Sequence, residues 1–145
     1  HLQALEIGVA ARVQGPFGNF LQDYASSPGL WIAGGIGLAP FLAVLRKASL
    51  TQPVHLIYLH RNQSDAAYLD ELNALAMTQK QLLLEVIASG EGPADLSAMI
   101  PAAADLVGRQ CYLCGPPGLL TASSELLQAR GVAPQQIHFE RFDFR

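Results

Sequence analysis

The stretch WIAGGIGLAPF, Trp31 to Phe41, decides the fold. Its apolar opening, Trp31 to Ala33, runs into Gly34-Gly35-Ile36-Gly37, and Pro40 stands where a helix would begin. Glycine lets the backbone turn sharply, and proline loses nothing in a first helical turn, where its missing N–H would have no partner anyway. The stretch therefore reads as strand, tight turn, helix. The unpaired N–H groups and positive dipole end of a helix entered this way attract a diphosphate. The full dinucleotide fingerprint is not met. Its third glycine position is Pro40, and the second strand ends in His60-Arg61-Asn62 with no carboxylate to bond a ribose. Taken alone, the turn equally suits a tight strand-to-helix connection with no ligand.

Outward from this stretch, short β-rich runs alternate with segments whose apolar residues fall three and four apart, and Gly or Pro marks the joins. The runs are Leu30 to Ala33, Val54 to His60, Leu82 to Ala88, Gln110 to Cys114 and Ile137 to Phe142. Each is apolar on nearly every residue, as expected for strands covered on both faces. The helical segments are Pro40 to Leu50, Tyr68 to Met77 with Ser64 or Asp65 available as a cap, and Pro117 to Arg130, which stops at Gly131. A shorter turn is expected over Asp95 to Ile100. The pattern predicts an α/β fold, an open five-stranded parallel sheet with helices on both faces. Residues 1–20 stand outside the alternation. VAARVQGPFGNF, Val9 to Phe20, reads as a strand and a Gly-Pro turn without a helical partner, the tail of a preceding β domain, so the domain proper is expected at 21–145.

Half of the 145 residues are hydrophobic, enough for one compact domain with a real core and no need of disulfide or zinc staples. A formal charge of −3, with nine unclustered Lys and Arg, offers no electrostatic footprint for nucleic acid or an anionic membrane surface. The longest apolar run, Leu30 to Leu45, is interrupted by glycines and a proline and falls short of the roughly 20 residues that cross a bilayer. The chain opens on His1 without the regions of a signal peptide, and it reads as a cytoplasmic piece of something longer.

Both cysteines lie in CYLCGPPG, residues 111–118. Side chains alternate along a strand, so Cys111 and Cys114, three apart, point to opposite faces and cannot bridge each other. A thioredoxin-type pair needs a helix N-terminus, and a zinc site needs two further ligands that the chain does not supply. No metal site is expected, and His60 and His138 are isolated. Cys111 reads as a small core residue. Cys114 ends its strand just before Gly115-Pro116, at the carboxyl edge of the sheet, where ligands of open parallel sheets bind and where the glycine turn also lies.

GPFGNF, GGIGLAPF, IYLHR, CYLCGPPGLL and HFERFDFR occur in that order, and on these motifs the chain resembles the NAD(P)-binding domain of the ferredoxin-NADP reductase superfamily. The ending HFERFDFR is most similar to bacterial ferric-reductase-like flavoproteins. The resemblance implies a domain that binds NADH or NADPH and presents the nicotinamide to FAD held by a preceding barrel, of which Gly15-Pro16-Phe17-Gly18 would be the end. It implies electron transfer onward to haem, ferric iron or an iron–sulfur acceptor, with a membrane haem domain as a further partner and the cytoplasmic side of a membrane as a setting. Carried over by position, Gly34, Gly35, Gly37 and Pro40 would receive the dinucleotide, with Arg61 as a phosphate ligand. Cys114, Gly115 and Pro116 would lie beside the reactive nicotinamide carbon, Glu140 near the transfer site, and Phe142 over the flavin ring. Hydride transfer needs its donor carbon positioned and water excluded more than it needs an acid or base.

The chain departs from the family at Ile36 and Ala39, where many members carry a hydroxyl. Ser89-Gly90-Glu91 replaces the Ser-Arg of NADPH-selective members, and Glu91 would repel a 2′-phosphate, favouring NADH. A nucleotide-sensing module without redox chemistry would also explain the glycine turn, but it would leave Cys114, Glu140 and Phe142 without a role. A thiol–disulfide protein is opposed by the strand geometry.

Overall fold

A computed structural model describes residues 6–12, 14, 18–90 and 92–140. In chain order the elements are β1 (Gly29–Gly34), α1 (Ala39–Lys47), β2 (Val54–His60), α2 (Leu69–Thr78) and β3 (Leu82–Ala88). Two single-turn helices follow, α3 (Leu96–Met99) and α4 (Ala103–Leu106), then β4 (Gln110–Cys114), α5 (Pro117–Ala129) and β5 (Ile137–Glu140). The strands form one five-stranded sheet in the order β3-β2-β1-β4-β5, and every neighbouring pair is parallel. The predicted open parallel sheet is therefore the fold.

Parallel neighbours need crossover connections, which place helices on the faces. On one face Trp31, Ala33, Leu56, Tyr58, Tyr112 and Cys114 pack with Phe41, Leu42 and Leu45 of α1 and Leu72 of α2. On the other, Leu30, Ile32, Ile57, Leu59, Cys111 and Leu113 pack with Leu120 and Leu127 of α5 and with Ile100 and Leu106. Covered on both sides, β1 and β2 are buried along their whole length. The edge strands are not. Leu83 of β3 and Phe139 of β5 stand 63% and 50% exposed, so an apolar run there does not mean burial on both faces.

Three local expectations change. Neither Ser64 nor Asp65 caps α2; the N-cap position is Tyr68, held in the left-handed region at φ 58°, with no side-chain cap, while Gln63–Asp65 form a separate 3-10 turn. Helix α1 ends at Lys47 rather than Leu50 because Ala48 is already extended. No strand is found within Val9 to Phe20 at its described residues, 9–12, 14 and 18–20; a strand needs a hydrogen-bonded neighbour, and none is present for this segment among the described residues. Gly15, Pro16 and Phe17 of that expectation lie outside the described residues.

Candidate functional site

The strand order reverses between β1 and β4. From β1 the chain moves to β2 and β3 on one side, then crosses to β4 and β5 on the other. At such a switch point the loops leaving the two strands diverge to opposite faces and open a crevice outside their carboxyl ends. The loops here are Gly34-Gly35-Ile36-Gly37 after β1 and Gly115-Pro116 after β4, which is why two motifs far apart in sequence meet.

Two of the glycines are required by that meeting. A Cβ on Gly34 would stand 2.9 Å from Pro116 Cδ and 2.5 Å from Leu119 Cδ2, and one on Gly37 would overlap the Cys114 carbonyl. Gly35 differs: its φ is +54° and nothing lies within 4 Å of its Cβ direction, so its backbone faces open space. The floor of the crevice is thus a packed joint with one exposed peptide step.

The crevice, about 510 Å³, lies within the usual size range of small-molecule sites. Gly34 and Gly35 form its floor, with Leu59, His60, Arg61 and Asp65 along one wall. Ser89, Pro93, Ala94 and Leu96 form a second wall, and Pro116, Gly118, Leu119 and Ala122 bring in the first turns of α5. The helices that open here are electropositive at their ends: neither the 3-10 turn Gly35–Leu38 leading into α1 nor α5 has a side-chain cap or an acidic residue in its first turn. Gly118 also has open space at its Cβ direction. Exposed backbone at Gly35 and Gly118, two uncapped helix starts and the exposed cation Arg61 suit an anionic ligand, and the apolar wall of Leu59, Pro93, Ala94 and Leu96 suits a ring.

Of the residues expected to bind the dinucleotide, Gly34, Gly35, Arg61 and Pro116 line the crevice. Gly37, Pro40 and Gly115 do not; Gly37 and Gly115 are packed beneath it, and Pro40 opens α1. Cys114, expected at the crevice, is fully buried on the α1 face of the sheet. Its register partner on β5 is Glu140, so these two expected site residues do stand side by side at the carboxyl edge. Burial, with the Glu140 carboxylate adding to it, pushes the Cys114 thiol up to about 12, and burial pushes Cys111 up to about 11. Both cysteines are free and lie in opposite cores. Phe142 lies outside the described residues, as does Glu91.

Asp65 was missed as a lining residue. The end of β2 lacks a carboxylate, as the sequence indicates, but the 3-10 turn five residues later returns one to the crevice. The polar run Asn62-Gln63-Ser64-Asp65 is the signal, and its reading as a helix cap hid it. His60 donates from Nδ1–H to the Asn62 carbonyl, 2.9 Å away, which ties the start of this turn to the strand end. Among the described residues no group of His, Cys, Asp and Glu could hold a metal ion.

Residues 31–125, from β1 into α5, match the family described as the oxidoreductase NAD-binding domain. The chain belongs to that family. The reductase component of the naphthalene 1,2-dioxygenase/salicylate 5-hydroxylase systems of Ralstonia, a ferredoxin–NAD(P)(+) reductase component, is 32% identical over 95% of this chain and 45% of its own length. A flavohemoprotein of Rhizobium meliloti is 28% identical over 95% of this chain and 38% of its own. Among solved structures, the Amycolatopsis cytochrome P450 reductase superposes with a TM-score of 0.69 at 26% identity, covering 94% of this chain and 46% of that one. The chain spans less than half the length of these proteins. The switch-point crevice lies where open parallel sheets take their ligands, outside the carboxyl ends of the strands.

Proposed function

We propose that this chain is the nicotinamide-nucleotide-binding part of an FAD-dependent reductase, presenting NADH or NADPH for hydride transfer to FAD. The observation that carries the reading is the crevice itself: two uncapped helix starts, one open peptide step at Gly35 and one exposed arginine converge on the switch point of a sheet whose family binds NAD. Gly35, Gly118 and Arg61 hold the diphosphate. The apolar wall holds a ring, and Cys114 with Glu140 fixes the carboxyl edge where β4 and β5 end. FAD, when bound by the remainder of the protein, supplies the conversion of a hydride into single electrons.

Cys114 acts by position. With its thiol held neutral far above physiological pH, it is no nucleophile; it is a small side chain under the joint that sets where the loop Gly115-Pro116 lies. Glu140 remains our candidate at the transfer site and Phe142 our candidate for covering the flavin ring. The acceptors we infer are haem, ferric iron or an iron–sulfur protein, in keeping with relatives named as a dioxygenase-system reductase component and a flavohemoprotein. A haem domain in a membrane is the finer form of that reading, with this domain on the cytoplasmic side; among the described residues no helix is long and apolar enough to cross a membrane. We place the boundary with the FAD-binding part near residue 20.

The test is reduction of FAD in the whole protein by NADH and by NADPH, followed at the flavin absorbance with ferricyanide as terminal acceptor. The reading expects flavin bleaching with at least one nucleotide. Tight nucleotide binding with no flavin reduction would instead favour a sensing module.

A further inference from the structure

Before β1 the chain does not run free. Gln22, Tyr24 and Ser26 donate their N–H groups to the carbonyls of Asn19, Leu21 and Asp23, making a succession of turns from 19 to 26, and the Ser26 hydroxyl also donates to Asp23 O at 2.7 Å. Three side chains of this segment, Phe20, Leu21 and Tyr24, pack against the core on the α1 face. The Phe20 ring stands edge-on to Phe41 at 5.7 Å and to Tyr112 at 5.8 Å, and Tyr24 stands edge-on to Trp31 at 6.1 Å. Edge-on pairs of this kind add favourable ring electrostatics to the area they bury. Immediately before this segment is Gly18, at φ +81° with open space around its Cβ direction.

We propose that residues 19–26 are a strap that moves with the nucleotide-binding sheet, and that the pivot toward the preceding chain lies at Gly18, ahead of Phe20 rather than behind it. The location follows from the contacts. Phe20 touches Tyr112, two residues before Cys114 on the same face of β4, and Phe41, in the first turn of α1 beyond the glycine loop. The strap therefore enters over the face of β4 that carries Tyr112 and Cys114, next to the first turn of α1. Phe20 and Tyr24 are positioning residues. If the preceding chain carries the flavin, as the proposed function holds, they set its approach to the nicotinamide without touching the nucleotide crevice, whose lining includes neither.

The experiment uses the full-length protein and compares Phe20→Ala with Phe20→Tyr, which keeps a ring. Hydrogen exchange reads the strap itself: the amides of Gln22, Tyr24 and Ser26 should be protected in the wild type, and exposed in Phe20→Ala while β1 and β2 stay protected. Stopped-flow flavin reduction reads the consequence: at saturating nucleotide the hydride-transfer rate should fall about tenfold in Phe20→Ala with nucleotide Kd within about twofold, and Phe20→Tyr should recover it. Unprotected strap amides in the wild type would overturn the inference. So would an unchanged rate in Phe20→Ala, or a loss of affinity equal to the loss of rate. Failure of the wild type to reduce flavin would instead remove the reductase reading, leaving the exchange result to decide the strap on its own.

Discussion

At the residue scale, the two cysteines and the glycines behave as strand geometry and close packing require. Alternation along β4 alone separates Cys111 from Cys114, so that split was readable from spacing. The division of labour among the glycines was not, because it depends on which strand lies beside β1. Gly37→Ala would force a Cβ into the Cys114 carbonyl, backbone against backbone, and is expected to cost about 3 kcal/mol or prevent folding. Gly35→Ala meets no atom and is charged only for its left-handed φ, about 1 kcal/mol. Urea denaturation of the two variants separates them, and equal losses would contradict the packed joint. The thiols carry a pH signature. Their folded pKa values are raised, to about 11 and about 12 against 9.0 when exposed, so between pH 9 and 11 the unfolded chain loses protons that the folded chain keeps. Stability is therefore full below pH 9 and falls as pH rises through that window. Tyr58 and Tyr112, also raised by burial, act in the same direction at higher pH. A urea midpoint level from pH 7 to 8.5 and declining above 9, with a shallower decline in Cys114→Ala, is the expected result.

At the element scale, β2, β3 and β4 coincide with the apolar runs that announced them, because each run is bounded by turn residues and long enough to show. Helix α4 escaped notice since four residues, Ala103 to Leu106, hold barely one helical turn and no periodicity. The join between α1 and α2 was also illegible, as it rests on side chains 25 and more residues apart. Arg46 pairs with Glu71 through two short bonds, 2.6 and 2.7 Å, on the exposed surface. The uncharged Gln79 does more. Its amide donates to the carbonyls of Leu45 and Ala48 and accepts from the Leu50 N–H, closing the C-terminal end of α1 from the cap of α2. These groups are partly buried, so Gln79→Ala leaves them without partners and should cost about 2 kcal/mol. Glu71→Ala breaks a solvated pair and should leave the denaturation midpoint nearly unchanged, with any effect vanishing in high salt. A larger loss from Glu71 than from Gln79 would reverse this ranking.

At the scale of the whole molecule, the crevice exists only because the strand order reverses, bringing the ends of β1, β2, β3 and β4 around one opening. Its glycine floor was legible as a motif. The return of Asp65 to the wall was not, since it depends on a 3-10 turn that periodicity does not reveal. If the crevice holds the dinucleotide, binding should survive in this chain alone, while hydride transfer needs the flavin-bearing remainder. Titration calorimetry with NAD+ and with ADP-ribose tests this on the 145 residues themselves. Both should bind, with similar heats from the shared diphosphate. Arg61 is exposed and lines the opening, and its backbone carbonyl accepts from Gly90 N–H whatever the side chain, so its truncation spares the fold. Loss of one charge-assisted bond to phosphate amounts to about 1.5–3 kcal/mol, so Arg61→Ala should weaken both ligands about 10- to 100-fold at an unchanged denaturation midpoint. Arg61→Lys keeps the charge without the planar fork and should fall between. If all three proteins bound ADP-ribose equally, the diphosphate would lie against the helix starts alone, and Arg61 would have no part in holding it.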